Sequence, residues 1–251
     1  MSKGILEMNN GSNNNNGGEK KETALRFLKE GESLIVGIPS IKEFYLKQIV
    51  SVYDSVINSP VILPTVVEKG EKTLYDAVVK ELWNDYDKEK GSKDEENKKV
   101  LNKINALKRQ DYVFFGMKDI NTGEDIILSM GINLEEGRRN KAGNNFYQAI
   151  TKMEKHLKKF PLEITKGSMG SWTILPYMED LTDKQEVNFK AATEIREEVY
   201  TSVFFKSNEE KQASDIRKFG KKFGFNVERV GISADELSSE EINTSVEKYC
   251  F

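Results

Sequence analysis

The sequence predicts a mainly β fold with helical insertions, an α+β arrangement, and three observations carry that expectation. Tyr112 to Met130, YVFFGMKDINTGEDIILSM, sets two β-rich apolar runs on either side of Asn121-Thr122-Gly123, the strongest hairpin signal in the chain. After Pro161, LEITKGSMGSWTILPYM repeats the pattern with Gly167 to Gly170 at its bend. Elsewhere the apolar period changes from two to about 3.6 residues, which inserts helices into the strand order.

Taken in order, residues 1–22 are Asn/Gly/Ser-rich and too poor in apolar side chains to offset the entropy of ordering, so they read as a disordered leader. A folded region over 23–230 follows. Gly31 and Glu32 turn the chain into a strand from Ser33 to Ile38, which Pro39 ends. Gln48 to Ile57 is a second β-like run, after which Pro60 and Pro64 bracket an extended or irregular path. Leu74, Ala77, Val78, Leu82 and Trp83 share one helical face and read as core. That helix opens an insertion near 71–110, whose stretch from Asp85 to Arg109 nearly balances six acids against eight bases. The mixture reads as a solvated helical excursion broken at Gly91/Ser92. Phe146, Ile150, Met153 and Leu157 make a core stripe on a helix from Asn144 to Phe160. Asn208 to Phe223 reads as an amphipathic helix, with Ile216 and Phe219 on one side and Lys211, Lys221 and Lys222 on the other.

Composition excludes several classes of function. The 251 residues carry 38 Lys and Arg against 41 Asp and Glu, which argues against a histone-like polycation and leaves room for opposed charge patches. A single cysteine, Cys250, excludes an intrachain disulfide. With only His156 beside it, the usual four-ligand zinc site is excluded too. No metal and no cofactor is expected. The sequence has no signal-peptide core and no run of roughly 20 apolar residues, so a non-membrane, cytoplasmic protein is expected. Chemistry is not visible either: Glu194, Glu197 and Glu198 read as solvent-facing carboxylates, and Gly167 to Gly170 lacks both a dinucleotide fingerprint and a P-loop ending. The expectation is a protein that is not an enzyme, with a Mg-dependent nuclease built from scattered acids as a lesser alternative.

The charges are nevertheless sorted along the chain. From Arg138 to Trp172, eight bases, among them Arg138, Arg139, Lys141, Lys152 and Lys166, face only Glu154 and Glu163. Such a segment is either an anion-binding surface or a solvated basic face over an aromatic cluster. Exposed rings among Tyr112, Phe114, Phe146, Tyr147, Trp172 and Tyr177 would stack on unpaired bases. In the last stretch, 231–251, Asp235, Glu236, Glu240, Glu241 and Glu247 oppose Lys248, and the chain ends in Tyr249-Cys250-Phe251. This is either an acidic tail or a terminal helix burying Leu237, Ile242 and Val246.

The opening RFLKEGESLIVGIP, Arg26 to Pro39, together with Tyr112 to Met130 and the later PLEITKGSMGSWTILPYM, resembles tailed-phage single-stranded DNA-binding proteins over about Thr23 to Asp180. The resemblance implies an OB-like five-stranded barrel that binds and protects single-stranded DNA during phage replication, recombination or repair, in the cytoplasm of the infected host. Arg26, Phe27 and Lys29 fall at that family's basic and aromatic start, and Tyr112, Phe114, Lys166 and Trp172 match its later strands more loosely. The acidic end is similar to the tails with which such proteins recruit replication or recombination partners, which implies partner contacts by Asp235, Glu236, Glu240, Glu241 and Phe251. Relatives with a zinc ribbon between the early and later strands differ from this chain, which has neither Cys nor His there. The alternative is an accessory or host-interaction protein whose basic region and tail bind protein. Oligomeric state stays open.

Overall fold

Asn121-Thr122-Gly123 forms a turn because the Asp119 carboxylate accepts the backbone N–H groups of Asn121 (2.8 Å) and Thr122 (3.4 Å), holding the reversal between two strands. The computed structural model describes residues 24–41, 44–54, 56–57, 59–134, 141–168 and 171–234. Within them lie strands β1 (Ser33–Gly37), β2 (Phe44–Asp54), β3 (Ser59–Val67), β4 (Gln110–Asp119), β5 (Asp125–Gly131), β6 (Leu162–Lys166) and β7 (Trp172–Pro176). The helices are α1 (Leu74–Asn84), α2 (Glu95–Leu107), α3 (Ala142–Lys152), α4 (Asp183–Lys190), α5 (Glu197–Thr201) and α6 (Glu209–Phe223). The chain forms two compact units, each with its own apolar core. Among the described residues, unit 1 takes those within 48–110 and 205–234, and unit 2 those within 24–47 and 111–204.

In unit 2 the strands run in the order β5, β4, β1, β6, β7, each pair antiparallel. Tyr112 lies opposite Gly131, Lys118 opposite Asp125, and Lys166 opposite Trp172. This array is open. The outer edge of β5 bonds instead to the segment before β1, where Arg26 N–H reaches Ile127 O and Ile127 N–H reaches Ala24 O, both at 2.8 Å. At the other end β7 is five residues long and closes with Pro176, which has no N–H to offer. The expected mainly β fold with an OB-like five-stranded barrel is therefore corrected to a mixed α/β fold with open strands. Alternating apolar residues specify strands and faces. They leave open whether the first and last strand meet, which depends on tilt and stagger. α3 covers one face with Phe146 and Ile150, packed with Phe115, Met117, Leu162 and Ile164 in the core.

Unit 1 folds around the β2–β3 hairpin. Leu63 and Pro64 together face the single residue Ser51, a bulge that takes the absent Pro64 donor out of the ladder. The irregular path expected between Pro60 and Pro64 is thus a bulged strand. Tyr75, Val78 and Leu82 of α1, Ile104 and Leu107 of α2 and Ile216 and Phe219 of α6 bury against Val50, Ile62 and Val67. Thr73 caps α1 with a reciprocal pair: its hydroxyl accepts Asp76 N–H (3.3 Å), and Asp76 Oδ2 accepts Thr73 N–H (2.9 Å). The charged excursion is helical as expected, but α2 is also amphipathic and contributes core side chains.

Buried polar groups tie the elements of unit 1. Tyr75 Oη donates to Asp215 Oδ2 at 2.8 Å, and Lys211 Nζ donates to Asp215 Oδ1 at 2.5 Å. Burial, with the Asp215 charge beside it, pushes the Tyr75 hydroxyl above its ordinary range, so it stays a donor. Arg109 bonds the Asp76 carboxylate through Nε (2.8 Å) and Nη2 and reaches Gln48 Oε1 (3.3 Å) and the carbonyls of Glu68 and Glu71.

Candidate functional site

The clearest concavity with unpartnered apolar side chains is in unit 2, where α3 meets the exit of β5. Gly143 permits the approach: a Cβ there would lie 2.5 Å from Ile132 Cγ2 and 2.8 Å from Gly131 O. One residue on, Asn144 fastens the helix to the strand exit. Its Oδ1 accepts Asn133 N–H (2.8 Å) and Lys141 N–H (3.0 Å), and its Nδ2 donates to Asn133 O (2.8 Å). The start of β2 supplies the opposite wall through Phe44, whose ring meets Phe115 edge-on at 4.6 Å and Tyr147 at 6.0 Å. Between these elements lies a cleft of about 530 Å³ with Phe44, Val113 and Ile132 inside. On its walls Leu46 is 50%, Leu134 57% and Tyr147 42% exposed. Gln148, also exposed, adds an amide.

The described residues expected to bind DNA are spread over the segment before β1, strands β4, β6 and β7, and the start and end of α3. Arg26 pairs with Glu124 at 2.8 Å, and Phe27 is half exposed beside it in sequence. Lys29 donates its backbone N–H to Glu32. Tyr112 is half-buried, and burial pushes its hydroxyl upward. Phe114 is buried, with its ring edge-on to Phe204 at 4.9 Å. Lys166 Nζ donates to Leu28 O at 2.7 Å. Trp172 packs edge-on to Phe146 at 5.2 Å, and its buried Nε1 has no hydrogen-bond partner among the described residues. Lys141 lies along Gly131, and Lys152 is exposed in the last turn of α3. Arg138, Arg139, Asp235, Glu236, Glu240, Glu241 and Phe251, like the leader, lie outside the described residues.

No family model matches the chain, and no curated protein matches it. The resemblance to tailed-phage single-stranded DNA-binding proteins is therefore corrected: its short phrases are met by an open array instead of the barrel that the family requires. Single-stranded DNA binding by an OB-fold falls with that barrel. Among the described residues no three His, Cys, Asp or Glu side chains gather as a metal site, and no helix is long and apolar enough to cross a membrane.

Sequence reasoning missed the cleft because Leu46 and Leu134 fall just outside the β-like runs Gln48 to Ile57 and Tyr112 to Met130 and carry no signal of their own. Their exposure depends on where α3 docks. A signal was present in Gly143: a glycine beside the start of an amphipathic helix marks a close backbone approach.

Proposed function

We propose that this is a non-catalytic binding protein that takes an apolar side chain of a polypeptide partner into the cleft of unit 2. The observation that carries the reading is the ring of exposed Leu46, Leu134 and Tyr147 around about 530 Å³ of apolar space. A mouth with half-exposed walls suits a side chain presented by a protein surface better than a small molecule needing near-complete enclosure. Burial of one Leu or Phe anchor contributes about 1.5–3 kcal/mol, so contacts around the anchor must supply the rest of the affinity. The Gln148 amide is placed to bond the partner's backbone. We propose a cytoplasmic location on the sequence alone, which has neither a signal-peptide core nor a run of roughly 20 apolar residues.

The test is an amide-resolved NMR titration with N-acetyl-leucinamide, N-acetyl-tryptophanamide and a short leucine-containing helical peptide. Shifts centred on Leu46, Leu134, Tyr147 and Gln148, weakened at least several-fold by Leu134→Ser, are expected. Shifts scattered over the molecule, or an unchanged response in the variant, would overturn the reading.

A further inference from the structure

A second concavity in unit 2 shares no lining residue with the apolar cleft and has the opposite chemistry. It measures about 550 Å³, within the range of small-molecule sites, and lies between the β4–β5 turn, the segment before β1 and α5. Three cations and three carboxylates line it: Arg26, Lys118 and Arg196 against Glu124, Asp125 and Glu198. Two of the three opposed pairs are closed. Arg26 meets Glu124 at 2.8 Å, and Lys118 meets Asp125 Oδ1 at 2.5 Å, directly across the β4–β5 ladder.

The third pair is open. Arg196, with 72% of its side chain exposed, reaches only Asp125 Oδ2, at 3.8 Å, beyond hydrogen-bond distance. Among the described residues its guanidinium makes no hydrogen bond, and the Glu198 carboxylate makes neither a hydrogen bond nor an ion pair. Asp125 is nine-tenths buried, and its Oδ2 faces Arg196 without a donor at bonding distance. The wall thus presents a solvent-facing cation with no hydrogen bond to the described residues beside two carboxylates with acceptor capacity to spare.

The geometry points to a binding site for a small zwitterion carrying an ammonium and a carboxylate on one molecule, a free α-amino acid or short peptide. Arg196 takes the carboxylate through its forked N–H groups, and Asp125 Oδ2 and Glu198 take the ammonium. A ligand with one charge alone gains one contact and leaves the opposite group unmatched. The Lys118–Asp125 pair holds the floor in place and needs no rearrangement.

The experiment is an amide-resolved titration of the full chain with L-alanine and L-alanyl-L-alanine, each against N-acetyl-alanine and alaninamide as singly charged controls. Both zwitterions are expected to shift Gly123, Asp125, Val199 and Ser202, the controls far less. The better of the two distinguishes amino acid from peptide. Arg196→Gln and Glu198→Gln, at exposed positions where folding is retained, should each weaken binding roughly ten-fold or more, with Arg196→Lys recovering part of it. Controls that bind as well as the zwitterions, affinity unchanged in Arg196→Gln, or no shift at these amides with ligand in large excess would each overturn the proposal. None of these results bears on the apolar cleft, whose reporters are different residues.

Discussion

Asp215 is met by two donors in the core of unit 1, and this makes its neighbours unequal under substitution. Tyr75→Phe keeps the ring's volume but removes one donor, for an expected loss of about 1–3 kcal/mol in urea unfolding. Lys211→Met removes the compensating charge from a carboxylate that is almost fully buried and should cost more, about 3–5 kcal/mol. The reverse order would mean that Lys211 is solvated and incidental. Asp76 responds to pH. Partial burial works against its charge, but hydrogen bonds from Arg109 and Thr73 prevail and hold its carboxyl below the ordinary 3.8. Near that value the unfolded chain therefore binds the proton more readily than the folded one. The stabilisation is fully present above about pH 4, and it is lost as pH falls through the lower folded value. Asp76→Asn should flatten the acid limb of the stability profile and leave its slope between pH 6 and 8 unaltered. An acid limb as steep as wild type would remove Asp76 from the account.

Close approaches between elements set the next scale. Tyr200 of α5 lies over Gly116 of β4, where a Cβ would come within 1.9 Å of the phenol oxygen, so Gly116→Ala must displace the buried Tyr200 ring. Gly143→Ala likewise pushes α3 from the β5 exit. Each should cost about 1–3 kcal/mol in thermal or urea unfolding. Only the Gly143 variant should also abolish the shifts of Leu134 and Tyr147 on adding N-acetyl-leucinamide. Strands β1, β4, β5, β6 and β7 and helices α1, α3 and α6 were legible in the sequence because each has its own period, although α3 ends at Lys152 and not at the Phe160 that Pro161 suggested. Phe146, Ile150 and Leu157 were legible as core for the same reason. Tyr75 was not: an aromatic hydroxyl reads as a surface group until an Asp 140 residues away supplies its partner. Trp172 reads as a stacking candidate from its basic surroundings, and the edge-on packing of its ring on Phe146 carries no sequence signal. Neither concavity was legible, because both are made by residues that become neighbours only after α3 and α5 dock.

For the whole molecule, the division into two cores predicts localised responses. Leu82→Ala in unit 1 and Phe146→Ala in unit 2 each remove a fully buried side chain, at about 2–5 kcal/mol. Hydrogen exchange should accelerate first among amides of the unit that carries the change. Equal acceleration in both would mean a single cooperative core. The barrel expectation failed at this scale, since closure belongs to no single strand and no local pattern encodes it. The alternation of segments between the units also has a temporal side. All of unit 2 has left the ribosome once residue 204 has emerged, whereas α1 and α2 of unit 1 must wait for Ile216, Phe219, Phe225 and Val227. Unit 2 can therefore form during translation while an earlier-made portion of its neighbour still exposes Tyr75, Val78 and Leu82. The interval in which the nascent chain most needs a chaperone is thus written into the order of its segments.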